Sequence, residues 1–383
     1  MAYTETTRTS YGSRLKNSLG GIGTGFLMLI AGTILLWWNE GRAVKTTKML
    51  KEAQGQVVEM ADISKVDPAF EGKLVHAVGL AETADSLFDS QFNVGVRGIA
   101  LHREVEYYQW VENSKTETKD KIGGAQETTT TYTYELQWTP GPVDSGNFHD
   151  PDYKDKNSVK QNVDNLDRYA QDVSFGAYKL SPSQIKSVGG EEPLYVDGES
   201  NVIYIGDDRS NPKVGDVRIT FTKVMPGQIT VVSTINGNSF VPFKAKNGKE
   251  FSALRRGDVP QEQIFEDAHQ ANKIWLWVLR FLGFFLVAAG LKGIFNIIET
   301  LFKVLPFLAN IIGWGVNLVC NLVAFVWTLV VVAIAWIAYR PVLGISLLVV
   351  AGVALWYFGS HKKKGAPAAE PPAAEPPAPK PEA

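Results

Sequence analysis

Residues 19–38 read LGGIGTGFLMLIAGTILLWW, and the next five, residues 39–43, read NEGRA. Twenty consecutive residues without a charge match the roughly 20 that a helix needs to cross about 30 Å of hydrocarbon. Arg14 and Lys16 precede the run, and Trp37-Trp38 stand at its far end, where indole rings favour the membrane–water boundary. A cleaved signal peptide would have a shorter apolar core, about 7–15 residues, followed by small residues at the cleavage site. Here Trp-Trp-Asn-Glu-Gly-Arg follows instead, so the segment reads as an uncleaved anchor.

Working outward, three more apolar segments appear near the C-terminal end. Residues 274–298 are interrupted by Arg280 and Lys292, which lie about 18 Å apart along a helix. Long side chains at that spacing are predicted to snorkel to opposite interfaces. Residues 304–339 carry no charge, and Pro306, Gly313 and Gly315 predict a shallow lead-in before a span near residues 316–339. After Arg340-Pro341 breaks the chain, residues 342–358 return, giving four spans. Residues 361–383 open on Lys362, Lys363 and Lys364 and continue as a repeated Ala-Glu-Pro tract, which predicts a disordered tail.

Basic residues near span ends set orientation. Arg8, Arg14, Lys16, Lys292, Lys303 and Lys362–Lys364 collect on one side, while Arg340 stands on the other; Arg280 completes the set of interfacial cations. This predicts cytosolic termini, with residues 1–18 on one face of the membrane and residues 39–273 on the other. No Asn-x-Ser/Thr sequon occurs in residues 39–273, which predicts a bacterial inner-membrane protein with a periplasmic domain. In a eukaryote the same plan would place it in the endoplasmic reticulum or inner nuclear membrane.

Between the first and second spans the chain reads mostly as strand. Residues 73–82, 99–111, 128–138, 214–223 and 229–235 are rich in Val, Ile, Thr and aromatics. Residues 99–111 and 128–138 flank a polar stretch with Gly123-Gly124, predicting a long hairpin with a mobile tip over residues 112–127. Asn236-Gly237 predicts a second, tight hairpin. A helix is expected over residues 163–169, and another over residues 261–273 leading into the second span. The fold class is therefore an α+β membrane protein: four transmembrane helices, with a large, mostly β extracytoplasmic domain inserted between the first and second.

Composition narrows the chemistry. The net charge of −2 implies no nucleic-acid partner, and Cys320, the sole cysteine, rules out an intrachain disulfide and a thiolate metal site. His102, Glu104 and Glu106 would share one face of a strand, a conceivable acid/base or metal set. A solvated strand face explains them more simply, and no His-Glu-x-x-His, Gly-x-Ser-x-Gly or phosphate-loop motif occurs. His76 reads as a hydrogen-bonded core residue, and His149 as a solvated loop residue. No catalytic residue, cofactor or metal ligand is assigned. Gly21 and Gly25 form a small-xxx-small pair suited to close helix packing, with homotypic pairing as an extension. Asn317 and Asn321 lie on one face of a later span and suit interhelical hydrogen bonding.

Several short motifs, in order, carry a family resemblance: residues 39–43 (NEGRA), 72–76 (GKLVH), 108–112 (YQWVE), 214–218 (VGDVR), 241–243 (VPF) and 339–341 (YRP). From about Gly20 to Phe358 the chain resembles the transmembrane protein 43 (LUMA) family. The resemblance implies one span, a large domain and then a cluster of spans. It also implies a non-enzymatic scaffold that self-associates and organises membrane protein or lipid assemblies, as eukaryotic members do at the nuclear envelope. The expected partners are membrane lipids, further copies of the chain and other membrane proteins. A small-solute transporter or channel, and a membrane-bound hydrolase using His102, Glu104 and Glu106, are the alternatives from other classes.

Overall fold

The computed structural model describes residues 2–341, together with Ser346 and Val353. Its principal elements are strand β1 (Tyr3–Thr9), helix α1 (Tyr11–Gln54), strands β2 (Leu74–Glu82), β3 (Ala100–Asp120), β4 (Gln126–Thr139), β5 (Val217–Val224), β6 (Gly227–Asn236) and β7 (Ser239–Val241), and helices α2 (Gln261–Phe302) and α3 (Pro306–Tyr339). Among the described residues, α1, α2 and α3 are long and apolar enough to cross a membrane. The expected fourth span, residues 342–358, lies outside the described residues apart from Ser346 and Val353, and the tail with Lys362–Lys364 lies wholly outside them. The architecture is thus α+β, with three such helices and a mostly β domain between the first and second.

Two seven-stranded sheets form the domain. One runs β1-β4-β3-β5 and continues into residues 191–193; the other contains β2, β6 and β7. Val75, Ile99, Phe175, Tyr178, Ile229 and Phe240 fill the core that both sheets share. The Asn236-Gly237 turn forms as predicted: Asn236 pairs with Ser239, and Gly237 adopts φ 62°, which a side chain would resist. Residues 163–169 do not form the expected helix. Leu166–Tyr169 is instead a strand along β3, because Asp167 and Arg168 sit opposite His102 and Leu101 in its ladder.

A second core joins helices to domain. Met49, Leu50 and Ala53 at the end of α1, with Ile264 and Phe265 at the start of α2, pack on Leu74, Val232, Phe243 and Ala253. Each such large apolar side chain contributes about 1.5–3 kcal/mol on burial, so both helices enter the domain rigidly. As expected, α2 begins in the domain and runs on as the second span. Helix α3 is a single unbroken element, without the predicted lead-in. Pro306 sits in its first turn, where a missing N–H costs nothing, and Gly313 is a packing position, since a Cβ there would lie 2.8 Å from Glu299 Cδ.

The polar stretch over residues 112–127, expected as the tip of the hairpin, is mostly paired strand. β3 and β4 pair continuously from Tyr107–Thr139 to Asp120–Gln126, and only the Gly123-Gly124 turn has φ above 80°. β-branched threonines on both strands favour extended backbone, and a third strand supports them. Residues 3–9 pair antiparallel with residues 126–132, with Thr6 opposite Thr129 and their hydroxyls 3.3 Å apart. From Tyr107 to Asp120 this ribbon reaches about 44 Å. Its tip touches the end of the helices farthest from the domain: Gly123 N donates to Val304 O at 3.0 Å, and Arg14 pairs with Asp120 at 2.8 Å.

This pairing brings together, at one end of the helices, residues 3–9 and residues 126–132, which belong to segments expected on opposite faces of a membrane. Residues 113–119 are exposed on both faces of the ribbon. Among the described residues, no strand pairs with the outer edge of β1 or with that of β3 beyond Tyr107. Hydrocarbon supplies no partners for such a backbone, so the ribbon must be bathed in water or covered by protein along its length.

The ribbon predicts a cross-link. A Thr6→Cys, Thr129→Cys variant should form an intrachain disulfide under mild oxidation, seen as a reduction-sensitive mobility shift. Cross-strand partners lie within disulfide reach, so two thiols that stay free would contradict the β1–β4 register.

Candidate functional site

The residues 39–43 build the most elaborate polar site in the helices. Two turns of α1 carry Asn39, Glu40, Arg42 and Ala43 toward α2, while Gly41 meets the end of α3. Glu40 is fully buried. Its Oε1 accepts from Arg280 Nε at 2.6 Å and its Oε2 from Trp336 Nε1 at 2.9 Å. The Arg280 guanidinium lies 4.9 Å from the ring of Trp277 and 5.8 Å from that of Trp336, within cation–π range. Asn39 Nδ2 donates to Leu276 O at 2.9 Å, and its Oδ1 accepts from Arg42. Arg42 also donates to Asn272 Oδ1, whose amide donates to Ala43 O and Thr47 Oγ1 at 3.1 Å each. A Cβ on Gly41 would lie 2.7 Å from Tyr339 Cζ, so only glycine lets that ring close on α1. One short motif therefore ties three helices at one depth.

A glycine seam sets that register. A Cβ added at Gly25 would lie 2.7 Å from Gly290 O, one at Gly32 3.0 Å from Gly283 O, and one at Gly21 3.8 Å from Gly293 O. Gly21 and Gly25 therefore pack α1 against α2 of the same chain. The close helix packing expected of this pair is thus made within the chain, with Gly25 buried against α2 and Gly21 half-buried beside it. At the distal end, Ser18 Oγ lies 3.1 Å from Thr300 Oγ1, Asn296 Nδ2 donates to Ser18 Oγ, and Tyr11 Oη donates to Leu301 O.

Several expected interfacial cations are placed differently. Arg280 does not snorkel outward but turns inward to Glu40. Arg14 is buried against the ribbon tip, donating to Gly124 O at 2.9 Å beside its pair with Asp120. Lys303 pairs with Glu299 at 3.0 Å on its own helix; Lys16 is exposed and Lys292 half-buried. Because α1 continues unbroken to Gln54, Arg42, Lys45, Lys48 and Lys51 lie within a few turns of the apolar run on the domain side. These four narrow the imbalance of charge on which the expected orientation rests. Asn317 and Asn321 are exposed on the outer face of α3, not engaged between helices among the described residues. Glu40, Asn272, Asn296 and Trp336 went unassigned in the sequence. The signal that could have found them is the similar spacing of Gly21, Gly25 and Gly32 with Gly293, Gly290 and Gly283, which in an antiparallel pair brings Asn39 level with Leu276 and Glu40 within side-chain reach of Arg280.

In the domain, His102, Glu104 and Glu106 do share a face, but they do not converge. His102 Nδ1 lies 2.6 Å from Asp167, Glu106 accepts from Arg218 at 2.6 Å, and Glu104 is exposed. His76 is buried between Glu59 and Val259 O, as expected of a core residue. His149 is stacked 3.9 Å from Tyr132 and bonded to Glu112, not merely solvated. Burial alone would raise the Glu112 carboxyl, but hydrogen bonds from Tyr134 and His149 outweigh it and hold the carboxyl below its usual range. Tyr134 is pushed up to about 12 by burial and by Glu112. At the ribbon's root, Asp216 is fully buried, with Lys160 Nζ at 2.8 Å and hydrogen bonds from Tyr204 Oη and Lys213 N. Burial raises its carboxyl too, and these three partners again prevail and lower it. Among the described residues, no group of three His, Cys, Asp or Glu side chains could hold a metal ion.

With this geometry in hand, the chain can be set beside known proteins. The family model described as Transmembrane protein 43 matches residues 107–341. The chain is 31% identical over 348 residues to transmembrane protein 43 of Rattus norvegicus, covering 86% of each. It is 31% identical over 362 residues to that of Homo sapiens, covering 89% of each. With a Drosophila melanogaster homolog it shares 28% identity over 349 residues, covering 87% of this chain and 93% of the relative. No solved structure matches it.

Two outcomes follow. Asp216 has a depressed folded-state pKa, so its stabilisation is present above the ordinary aspartate range and is lost as pH falls through the lower folded value. Acid titration of domain unfolding should show this loss, and Asp216→Asn should already lack the stabilisation at neutral pH. For the helix site, Glu40→Gln or Arg280→Met alone should cost about 3–5 kcal/mol, because each leaves its partner buried and unpaired. The double variant should cost less than the sum, which thermal unfolding in lipid discs would measure; strict additivity would mean that the two groups are uncoupled.

Proposed function

We propose that this chain, which belongs to the transmembrane protein 43 family, builds assemblies in the membrane and displays its β-rich domain as a platform for other membrane proteins and lipids. The observation that carries the reading is the polar ribbon tied alongside an apolar bundle. Helices α1, α2 and α3 expose Phe26, Leu27, Ile34, Phe281, Phe285, Leu322 and many similar side chains, which seek lipid. The ribbon beside them bears Lys115, Glu117 and Lys119 with open edges and cannot face lipid. Further copies that enclose the ribbons in water or protein reconcile the two demands.

Asn317 and Asn321 support the same reading. They lie one turn apart on an exposed, otherwise apolar face of α3. A side-chain amide in hydrocarbon gains from a partner on another helix, and a neighbouring copy provides one. The reading assigns the chain no reaction. A bacterial inner-membrane location belongs to the proposal as well, resting on the missing sequons and the Ala-Glu-Pro tract; the relatives matched are animal proteins.

The deciding measurement is the mass of the protein extracted directly into native lipid discs. Discrete oligomers are expected, and Asn317→Leu with Asn321→Leu should shift them toward monomer. A wild-type monomer would overturn the reading and turn the search for the asparagines' partner to residues 342–358 of the same chain.

A further inference from the structure

A groove of about 420 Å³ lies where the C-terminal part of α1 meets the end of α3. Val44, Thr47, Lys48 and Lys51 line one wall, and Tyr339, Arg340 and Pro341 the other. Three cationic side chains, two on α1 and one at the cap of α3, thus border one cavity. Among the described residues no carboxylate lines it, and none of the three cations is in an ion pair. This contrasts with Arg14, Arg280 and Lys303, each of which has an acidic partner within 3.0 Å. Glu52, the nearest acid in sequence, accepts instead from Lys246 N.

The groove also sits at a defined depth. Tyr339 packs on Gly41 and lies 5.6 Å from the ring of Trp37, so the aromatic belt at the end of the apolar run forms its membrane side. Side chains on a helix lean toward its N-terminus, which inclines Lys48 and Lys51 back toward that belt. Lys48 and Lys51 are three apart and project from one face. Arg340 presents a planar fork suited to two phosphate oxygens, and each lysine adds a mobile ammonium. Val44, Tyr339 and Pro341 leave an apolar border on which a glycerol backbone and the first methylenes of an acyl chain can rest.

We propose that this groove binds the phosphate headgroup of an anionic membrane lipid, with Lys48, Lys51 and Arg340 as its ligands. A lipid is favoured over a soluble anion because the cations flank the aromatic belt and Val44, Tyr339 and Pro341 border them with apolar surface. The site is separate from the oligomer contact proposed on Asn317 and Asn321, which lie several turns up α3.

The test uses the full chain in lipid discs made of phosphatidylcholine with a minor share of phosphatidylglycerol, read by native mass spectrometry of the lipid that stays bound. The wild type should retain phosphatidylglycerol enriched by about tenfold over its bulk share. A Lys48→Gln, Lys51→Gln, Arg340→Gln variant should fall to the bulk ratio. Lys48→Arg with Lys51→Arg should keep the enrichment, and Lys45→Gln, which lies outside the groove, should leave it unchanged. If the triple variant does not fold, Lys51→Gln alone, on an exposed position, should still lower the retained share. Enrichment that survives the triple variant, or is lost equally with Lys45→Gln, would overturn the proposal. So would bound lipid with no preference for the anionic headgroup, or a groove that takes inorganic phosphate equally well without a bilayer.

Discussion

Close backbone contact between α1 and α2 is the constraint on which the rest of the structure depends. At Gly25, Gly290 and Gly32 a Cβ would press on the backbone of the other helix, and at Gly283 it would collide with the Leu36 side chain. The register this enforces brings Glu40 opposite Arg280 and Asn39 opposite Leu276, so a charged residue from each apolar helix can be buried without being left alone. It also delivers both helix ends together into the domain, where Leu50 and Phe265 share one core. Packing thus comes first, and the ion pair is tolerated because packing has already placed its partners. Replacing only one partner leaves the other's desolvation uncompensated, which is why such pairs are sensitive to single changes.

The ribbon follows from the same placement. With the domain fixed at one end of α1 and Arg14 about 54 Å away along the helix, a hairpin that touches Arg14 must run beside the apolar stretch. It is held there at few points: Asp120 and Gly124 on Arg14, and Gly123 on Val304. Strand β1 strengthens it through main-chain pairing with β4. A polar, open-edged ribbon and a lipid-seeking bundle in one chain make opposite demands on their surroundings. An assembly of copies satisfies both, whereas an isolated chain in a bilayer leaves one of them unmet.

Charge in this protein is divided between groups that serve the fold and groups that remain available. Arg14, Arg103, Arg280 and Lys160 are each matched to a carboxylate, and Asp216 and Glu112 are held ionised against their burial by donated hydrogen bonds. Among the described residues Lys48, Lys51 and Arg340 have no such match, and they line one groove beside Tyr339.

The sequence by itself determined what local periodicity and length determine. An uninterrupted apolar run of twenty residues made α1 legible, runs of apolar and β-branched residues made β2, β5 and β6 legible, and Asn236-Gly237 announced its turn. His76 could be read as a core residue because apolar neighbours surround it in its strand. The sequence motifs also carried the family, since short segments in a constant order survive where overall identity is modest. Residues 112–127 were misread because an alternating polar stretch looks like a loop until a third strand pairs with it, and that strand lies more than a hundred residues away. Only the tertiary structure decided that Gly21 and Gly25 face α2, that Arg280 turns inward, that Asn317 and Asn321 face outward, and that residues 3–9 join the domain's ribbon. Each of these is a fact of register between distant segments, and a side chain's partner across such a register leaves no periodic trace in its own neighbourhood.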